Sequence, residues 1–459
     1  MTKLKCISPI DGSIFAERET LSLEACAEAA ARACTAQVDW GARSIRERAD
    51  LVLAGIEAVG AMNDEIVPEL ARMMGRPVRY GGEFRGFSER GNHMADIAEE
   101  TLADIEVGDD ATARRYIRRL PWGLVFVVAP WNYPWMTAIN TVAPALIAGN
   151  TVMLKHATQT LLVGERMARA FHSVGIPEGV FQNVFLDHDT THSLIAGRHV
   201  DFVNFTGSVG GGQAMERAAA GTFVPVATEL GGKDAGYVLD DADLDAAVDG
   251  LMDGAMFNAG QCCCGIERIY VHESLYDAFV EKAVAWVKAL KLGNPLDPGT
   301  TIGPMAHARF ARTVRDQIDA AVAAGATAHI PTDPADDGGA YMTPQVLTGV
   351  THEMEVMREE SFGPVVGIIP VKDDDEAVRL INDSRFGLTA SLWTADLDRA
   401  ARLGDRIETG TIFMNRADYL DPALCWTGCK DTGRGAGLSI LGLQALTRPK
   451  SYYLKKATS

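Results

Sequence analysis

From about residue 122 the chain alternates between short apolar runs and longer amphipathic ones. Leu124-Val125-Phe126-Val127-Val128-Ala129 is apolar at every position. A run so short and so uniform predicts a strand covered on both faces. Thr137 to Ala148 then takes up helical spacing. The exchange repeats, with strands predicted at Thr151 to Lys155, Phe181 to Phe185, Asp201 to Phe205 and Val224 to Thr228. Helices are predicted between them at Leu161 to Val174, Thr190 to Ala196 and Gly212 to Ala220. Such an order predicts an α/β fold on a parallel sheet, whose ligands sit at the carboxyl ends of the strands. A second alternation runs from Ala235 to about Asn415, with candidate strands Gly236 to Leu239, Arg268 to Val271 and Val365 to Ile369. Upstream, residues 22 to 74 read as helices, with Ser22 as a cap, and Tyr116 to Leu120 as a short strand. Asp333 to Gly339 reads as a turn-rich surface excursion. The alternating tail Thr447 to Lys456 predicts an edge strand of the kind that pairs with another subunit.

Composition narrows the function classes. The 459 residues are too many for one ordinary core, so two or three domains are expected. A formal net charge of −18 disfavours a nucleic-acid partner, because the surface would repel phosphates. Arg114-Arg115 and Arg118-Arg119 form the one dense basic cluster, which reads as a solvated ribbon or a subunit contact. No run of about eighteen apolar residues exists, so no membrane span is expected. The first residues lack the apolar core of a signal peptide. Cys6, Cys26, Cys34, Cys425 and Cys429 show no disulfide framework, which fits a cytoplasmic location.

The remaining cysteines stand in a row, as Cys262-Cys263-Cys264 after Asn258-Ala259-Gly260-Gln261. Adjacent cysteines are poorly placed to bond to each other, and the run lacks the spacing of a zinc clip, so no metal site is expected. A thiol after a small, flexible turn can instead be presented as a nucleophile. Cysteine is also among the most buried residue types, so at least two of the three read as inert packing. Other segments carry chemistry with a structural reading beside it. Glu229, next to Leu230-Gly231-Gly232-Lys233, can serve as a general base or as a surface or capping residue. Asn132, within Trp131-Asn132-Tyr133-Pro134-Trp135, can donate to an oxyanion or merely satisfy a turn. The glycines of Gly207-Ser208-Val209-Gly210-Gly211-Gly212 suit a phosphate cradle or a tight turn.

In order along the chain, Trp131-Asn132-Tyr133-Pro134, Leu154-Lys155, Phe205-Thr206-Gly207-Ser208, Glu229-Leu230-Gly231-Gly232-Lys233, Gly260-Gln261-Cys262-Cys263, Glu359-Glu360-Ser361-Phe362-Gly363-Pro364 and Asn415 resemble the successive motifs of the aldehyde dehydrogenase superfamily. The resemblance spans about Ser8 to Lys450. It implies that Cys263 is the nucleophile, rather than Cys262 or Cys264. It further implies that Asn132 and the Cys263 N–H hold the oxyanion, and that Glu229 activates the water that hydrolyses a thioester. NAD or NADP is the implied coenzyme. Lys155 and Thr158 would meet the adenosine ribose, Gly207, Ser208, Gly212 and Leu230 the phosphate region, and Trp131, Glu360 and Phe362 the nicotinamide end. Tyr133, Arg416, Tyr419, Leu420, Cys262 and Cys264 would line the path of a small-molecule aldehyde. Arg416 reads either as a substrate carboxylate reader or as a structural ion pair.

Three departures from the family pattern stand out. Thr158 occupies a place where NAD users often carry Glu, whose charge would repel the NADP 2′-phosphate; both coenzymes stay open. Val209 replaces the usual Thr after Gly207-Ser208. Cys425-Trp426-Thr427-Gly428-Cys429-Lys430 stands where the family has a Pro-Phe-Gly-Gly-x-Lys segment, which suggests an altered aldehyde pocket. The fold implied is a Rossmann-like coenzyme-binding domain (residues 1–102 and 122–230), an α/β catalytic domain (231–430) and a small β oligomerisation element (103–121 and 446–459). A homodimer or a dimer of dimers is implied. The alternatives are a coenzyme A-acylating dehydrogenase, a thiol esterase or a non-catalytic scaffold; Glu229 favours release of a free acid.

Overall fold

The computed structural model describes residues 2–457; Met1, Thr458 and Ser459, at the ends of the expected segments 1–102 and 446–459, lie outside the described residues. Two parallel sheets dominate. The first has five strands in the spatial order Phe181–Asn183, Thr151–His156, Leu124–Ala129, Phe202–Gly207, Val226–Leu230. Every neighbouring pair is parallel. The chain starts at the central strand, winds to one edge, then crosses back and winds to the other. That reversal lies between Leu124–Ala129 and Phe202–Gly207, where an open α/β sheet leaves a crevice at its carboxyl edge. Helices Pro134–Ile147, Leu161–Ser173, His188–Ala196 and Val209–Ala219 make the crossovers. They cover both faces, and all six residues of Leu124–Ala129 are buried.

The second sheet has seven strands in the order Thr327–Ala328, Gln345–Thr348, Val365–Val371, Ile266–His272, Asp234–Val238, Thr389–Trp393, Thr411–Met414. Only the first of these runs antiparallel to its neighbour. Thr389–Trp393 and Thr411–Met414 were not anticipated by pattern. Thr389–Trp393 has a Ser between its apolar residues and gains its burial from sheet neighbours on both sides. The strand Val226–Leu230 also runs two residues past the expected end at Thr228, because Thr206 and Gly207 pair with Glu229 and Leu230.

A third, antiparallel sheet joins Ile105–Asp109, Ala113–Pro121 and Thr447–Lys455, the last two paired over nine residues. The N-terminal hairpin Lys3–Ile7 with Ile14–Glu19 was not anticipated, since its strands are short and only Cys6 and Ala16 are buried in them. Helices Leu23–Ala42, Ile45–Gly60 and Asn63–Met74 fill the upstream region, and Ser22 Oγ accepts from Ala25 N as the cap of the first. Among the described residues no helix is long and apolar enough to cross a membrane.

Candidate active site

The two parallel sheets are joined end to end by Leu230-Gly231-Gly232-Lys233, which leaves the carboxyl end of one and enters the amino end of the other. Everything the sequence nominated near the thiol converges on this joint. Asn132 follows the central strand of the first sheet, and Glu229 lies in its last strand. The cysteine run and Glu360 lie in loops entering two strands of the second sheet, Ile266–His272 and Val365–Val371. A side chain at Gly231 would fall 2.0 Å from Glu360 Oε1, and one at Gly232 would fall 2.9 Å from the Cys263 carbonyl. The glycine pair thus lets three segments close on one point.

The cysteines are aimed by a left-handed turn. Asn258, Ala259 and Gly260 all have positive φ, at 55°, 54° and 69°. Such backbone is unfavourable for alanine, so the surroundings must hold it. Asn258 Nδ2 donates to the Asn132 and Gln261 carbonyls, at 3.2 and 3.1 Å. Gln261 Nε2 donates to the Asn258 carbonyl at 2.9 Å, while its Oε1 accepts from Ala306 N at 2.7 Å. A side chain at Gly260 would strike the Gly363 carbonyl. Of the three thiols, Cys262 (7% exposed) and Cys264 (1%) are buried, and Cys263 is partly exposed. Hydrogen bonds from the Cys262 and Cys264 thiols hold Cys263 below the ordinary thiol range, against the pull of burial. Hydrogen bonding to Cys263, then burial, pushes Cys262 up to about 12. The same causes, led by the bond to Cys262, raise Cys264 well above its usual value. A nucleophile must reach its carbon, and of the three thiols Cys263 alone is partly exposed, so the arrangement favours attack by the middle sulfur.

Glu229 feels Cys263 electrostatically and sits beside Gly437, where a side chain would fall 2.6 Å from Glu229 Oε1. Burial raises its carboxyl to about 7, partly offset by Arg90 and a hydrogen bond from Thr206. The Asn132 side-chain amide has no hydrogen-bond partner among the described residues, while its carbonyl accepts from Arg76 Nη2 at 2.6 Å. Its backbone is held and its amide is left free to donate. Glu360 Oε1 accepts from Gly232 N at 3.1 Å, and burial, then the nearby Glu267, raises Glu360 to about 8. Phe362 meets Trp131 edge-on at 5.4 Å, and Trp131 stacks on Phe310 at 5.2 Å. Burial raises the Tyr133 hydroxyl well above its ordinary value; Cys262 is the next cause, which brings that ring to the thiols.

Lys155 and Thr158 lie at and just past the carboxyl end of the neighbouring strand Thr151–His156. Lys155 is buried, and burial lowers its ammonium to about 8 against the attraction of Asp187. Thr158 opens a short turn of 3₁₀ helix. Ser208 Oγ accepts from Gly211 N at 3.2 Å and caps Val209–Ala219, leaving the N–H groups of Val209 and Gly210 without intrahelical partners. Gly212 and Leu230 face each other in the core, since a side chain at Gly212 would fall 2.7 Å from Leu230 Cδ2. Gly207 lies against the Phe205 ring in the same way. Further out, the Arg416 guanidinium stacks 3.5 Å over the Tyr419 ring, whose hydroxyl donates to Glu89 Oε1 at 2.8 Å. Leu420 packs partly buried against the core of the first sheet.

A sequence profile described as the aldehyde dehydrogenase family matches residues 1–452. The chain belongs to the aldehyde dehydrogenase family. It is 35% identical over 416 residues to the succinate-semialdehyde dehydrogenase (NADP+) of Mycolicibacterium paratuberculosis, covering 90% of this chain and 88% of that one. It is 34% identical over 462 residues to the 3,6-anhydro-alpha-L-galactose dehydrogenase of Streptomyces coelicolor, covering 99% and 93%. Among solved structures, the succinic semialdehyde dehydrogenase of Streptococcus pyogenes, in complex with NADP+, superposes with a TM-score of 0.94 at 28% identity over 99% of this chain and 100% of that one.

Groups that support this candidate site in the aldehyde dehydrogenase chain were not named from the sequence. Arg76 and Glu83 form an ion pair at 2.6 Å with side chains 4% and 1% exposed. Arg76 also reaches Asn258 Oδ1 and lies 4.6 Å over the Tyr133 ring. Glu83 Oε2 accepts from Trp135 N and Met136 N, so it caps the helix that follows Asn132. Lys233 and Glu267 pair at 2.5 Å, and Glu267 accepts from Ser361 N and Phe362 N, each at 2.8 Å, anchoring the Glu360 loop. Arg90, buried among Asn140 Oδ1 and the Met136 carbonyl, faces Glu229, Cys263 and Cys264. The charge of Glu267, beside Arg268 near the head of the buried strand Ile266–His272, was an available signal.

Proposed function

We propose that this chain oxidises an aldehyde to the free carboxylic acid with NAD or NADP. The observation that carries the reading is the partly exposed Cys263, its thiolate favoured by two flanking thiols, lying within electrostatic reach of a Glu229 raised to about 7. Cys263 Sγ adds to the carbonyl carbon to give a thiohemiacetal. Asn132 Nδ2 and the Cys263 N–H donate to the oxyanion; one such donor contributes about 3 to 4 kcal/mol to lowering the barrier. When bound, the nicotinamide coenzyme supplies the acceptor for the hydride that this carbon gives up. Glu229 then takes a proton from water as the water attacks the Cys263 thioester, and the acid leaves as Cys263 returns to its thiolate.

The residues fit such a coenzyme. The unpaired N–H groups that open Val209–Ala219 suit a diphosphate, and the buried Lys155 suits a ribose. The Glu360 carboxylate, held on Gly232 N beside Phe362 and Trp131, suits the second ribose. Thr158 brings no charge against a 2′-phosphate, and the cited relatives from M. paratuberculosis and S. pyogenes carry NADP in their names, which favours acceptance of NADP. The chain divides, in this reading, into the coenzyme-binding, catalytic and oligomerisation segments given above. The exposed Ile105, Val107, Tyr453 and Leu454 on the third sheet support pairing of two copies there.

Kinetics of Cys263→Ala beside Cys262→Ala test the assignment. Cys263→Ala is expected to abolish aldehyde oxidation while coenzyme binding, followed by fluorescence, persists; activity retained in Cys263→Ala would move the nucleophile to a neighbour.

A further inference from the structure

Catalysis uses one of three adjacent thiols, yet all three point to one place. The sulfurs of Cys262, Cys263 and Cys264 lie within 4.8 Å of one another, and those of Cys262 and Cys264 are 3.5 Å apart. An extended chain would send alternate side chains to opposite faces. Here the backbone curls, with Cys262 N donating to the Gly260 carbonyl and Gly265 N to the Cys262 carbonyl. All three thiols are free. We propose that Cys262, Cys263 and Cys264 together chelate one uncharged, trivalent thiophilic centre of the arsenite class, As(OH)3.

The bonds balance without an oxidant. Two S–H bonds, at Cys262 and Cys264, and three As–O bonds break; solvent supplies the third proton because Cys263 binds as its thiolate; three As–S bonds form, and three waters leave. Charge selects this class over a divalent metal. Three thiolates with a dication carry a net negative charge, held against the buried Cys262 and Cys264 where water cannot solvate it. Three thiolates on trivalent arsenic carry none. A structural zinc site would also want a fourth ligand. Among the described residues no His, Asp or Glu completes the cluster. Occupancy ties up Cys263 and therefore excludes an aldehyde from the same sulfur. The chelate forms whether or not Cys263 carries the acyl chemistry.

Full-length protein is mixed with arsenite in a large excess of glutathione, and the adduct is read by intact mass and arsenic X-ray absorption. One arsenic per chain is expected, with loss of three hydrogens and three sulfur neighbours. Cys262→Ser and Cys264→Ser, checked for folding by circular dichroism, are expected to bind about 100-fold more weakly, since each removes one arm of the chelate. Two or fewer sulfur neighbours in the wild-type adduct, or variants that bind as tightly as wild type, would overturn the assignment. The wild-type spectrum decides the matter even if a variant fails to fold.

Discussion

A carboxyl group can serve as a base only after it has lost its proton. Burial holds Glu229 up to about 7, so below that pH it is largely neutral and cannot take a proton from water. Hydrolysis of the Cys263 thioester is therefore expected to quicken as pH rises through about 7. Pre-steady-state traces of acid release at several pH values check this; a rate flat from pH 6 to 8 (roughly one unit either side) would remove Glu229 as the base. At this scale the sequence was informative where residues form a local motif. Cys263, Asn132, Glu229 and Glu360 could all be named from their neighbours. Arg76, Glu83 and Arg90 could not. Each sits in or beside a helix with other charged residues, and a charge in such a stretch reads as solvated. Only tertiary packing reveals that these three are buried.

Between elements, the Arg76–Glu83 pair does more than neutralise charge. It connects the end of Asn63–Met74 to the helix after Asn132 and to the turn before the cysteines. Removing one partner of a buried pair costs about 3 to 5 kcal/mol, because the other charge is left without compensation. Arg76→Met is expected to lower stability by about that amount in urea denaturation. It should also reduce kcat, since Asn132 and the left-handed turn lose a shared anchor. Wild-type stability in this variant would show that the network is decorative. Strands were legible where burial on both faces leaves an unbroken apolar run, as in Leu124–Ala129, whose bounds match the reading. The N-terminal hairpin was not, because strands of five and six residues buried on one face alone leave too short a pattern to read.

Across the chain, two parallel sheets are joined through four residues, and the third sheet carries exposed apolar side chains. The order of motifs along the chain made the first arrangement legible. The seven-stranded sheet was only partly so, because its short outer strands owe their existence to pairing partners distant in sequence. The expected homo-oligomer is tested on the third sheet. Val107→Lys with Leu454→Lys places charge on exposed positions and is expected to shift sedimentation from an oligomer toward the monomer. An unchanged sedimentation coefficient would locate any subunit contact elsewhere.

In the proposed reaction the middle sulfur of the cysteine run carries the acyl group until Glu229 delivers water to it. Glu229→Gln should leave acylation possible and stall hydrolysis. After one turnover with aldehyde and coenzyme, acid quench and peptide mapping should find the acyl mass on Cys263. An acyl group mapped to Cys262 or Cys264, or none trapped while turnover continues at the wild-type rate, would rule out these roles for Cys263 and Glu229.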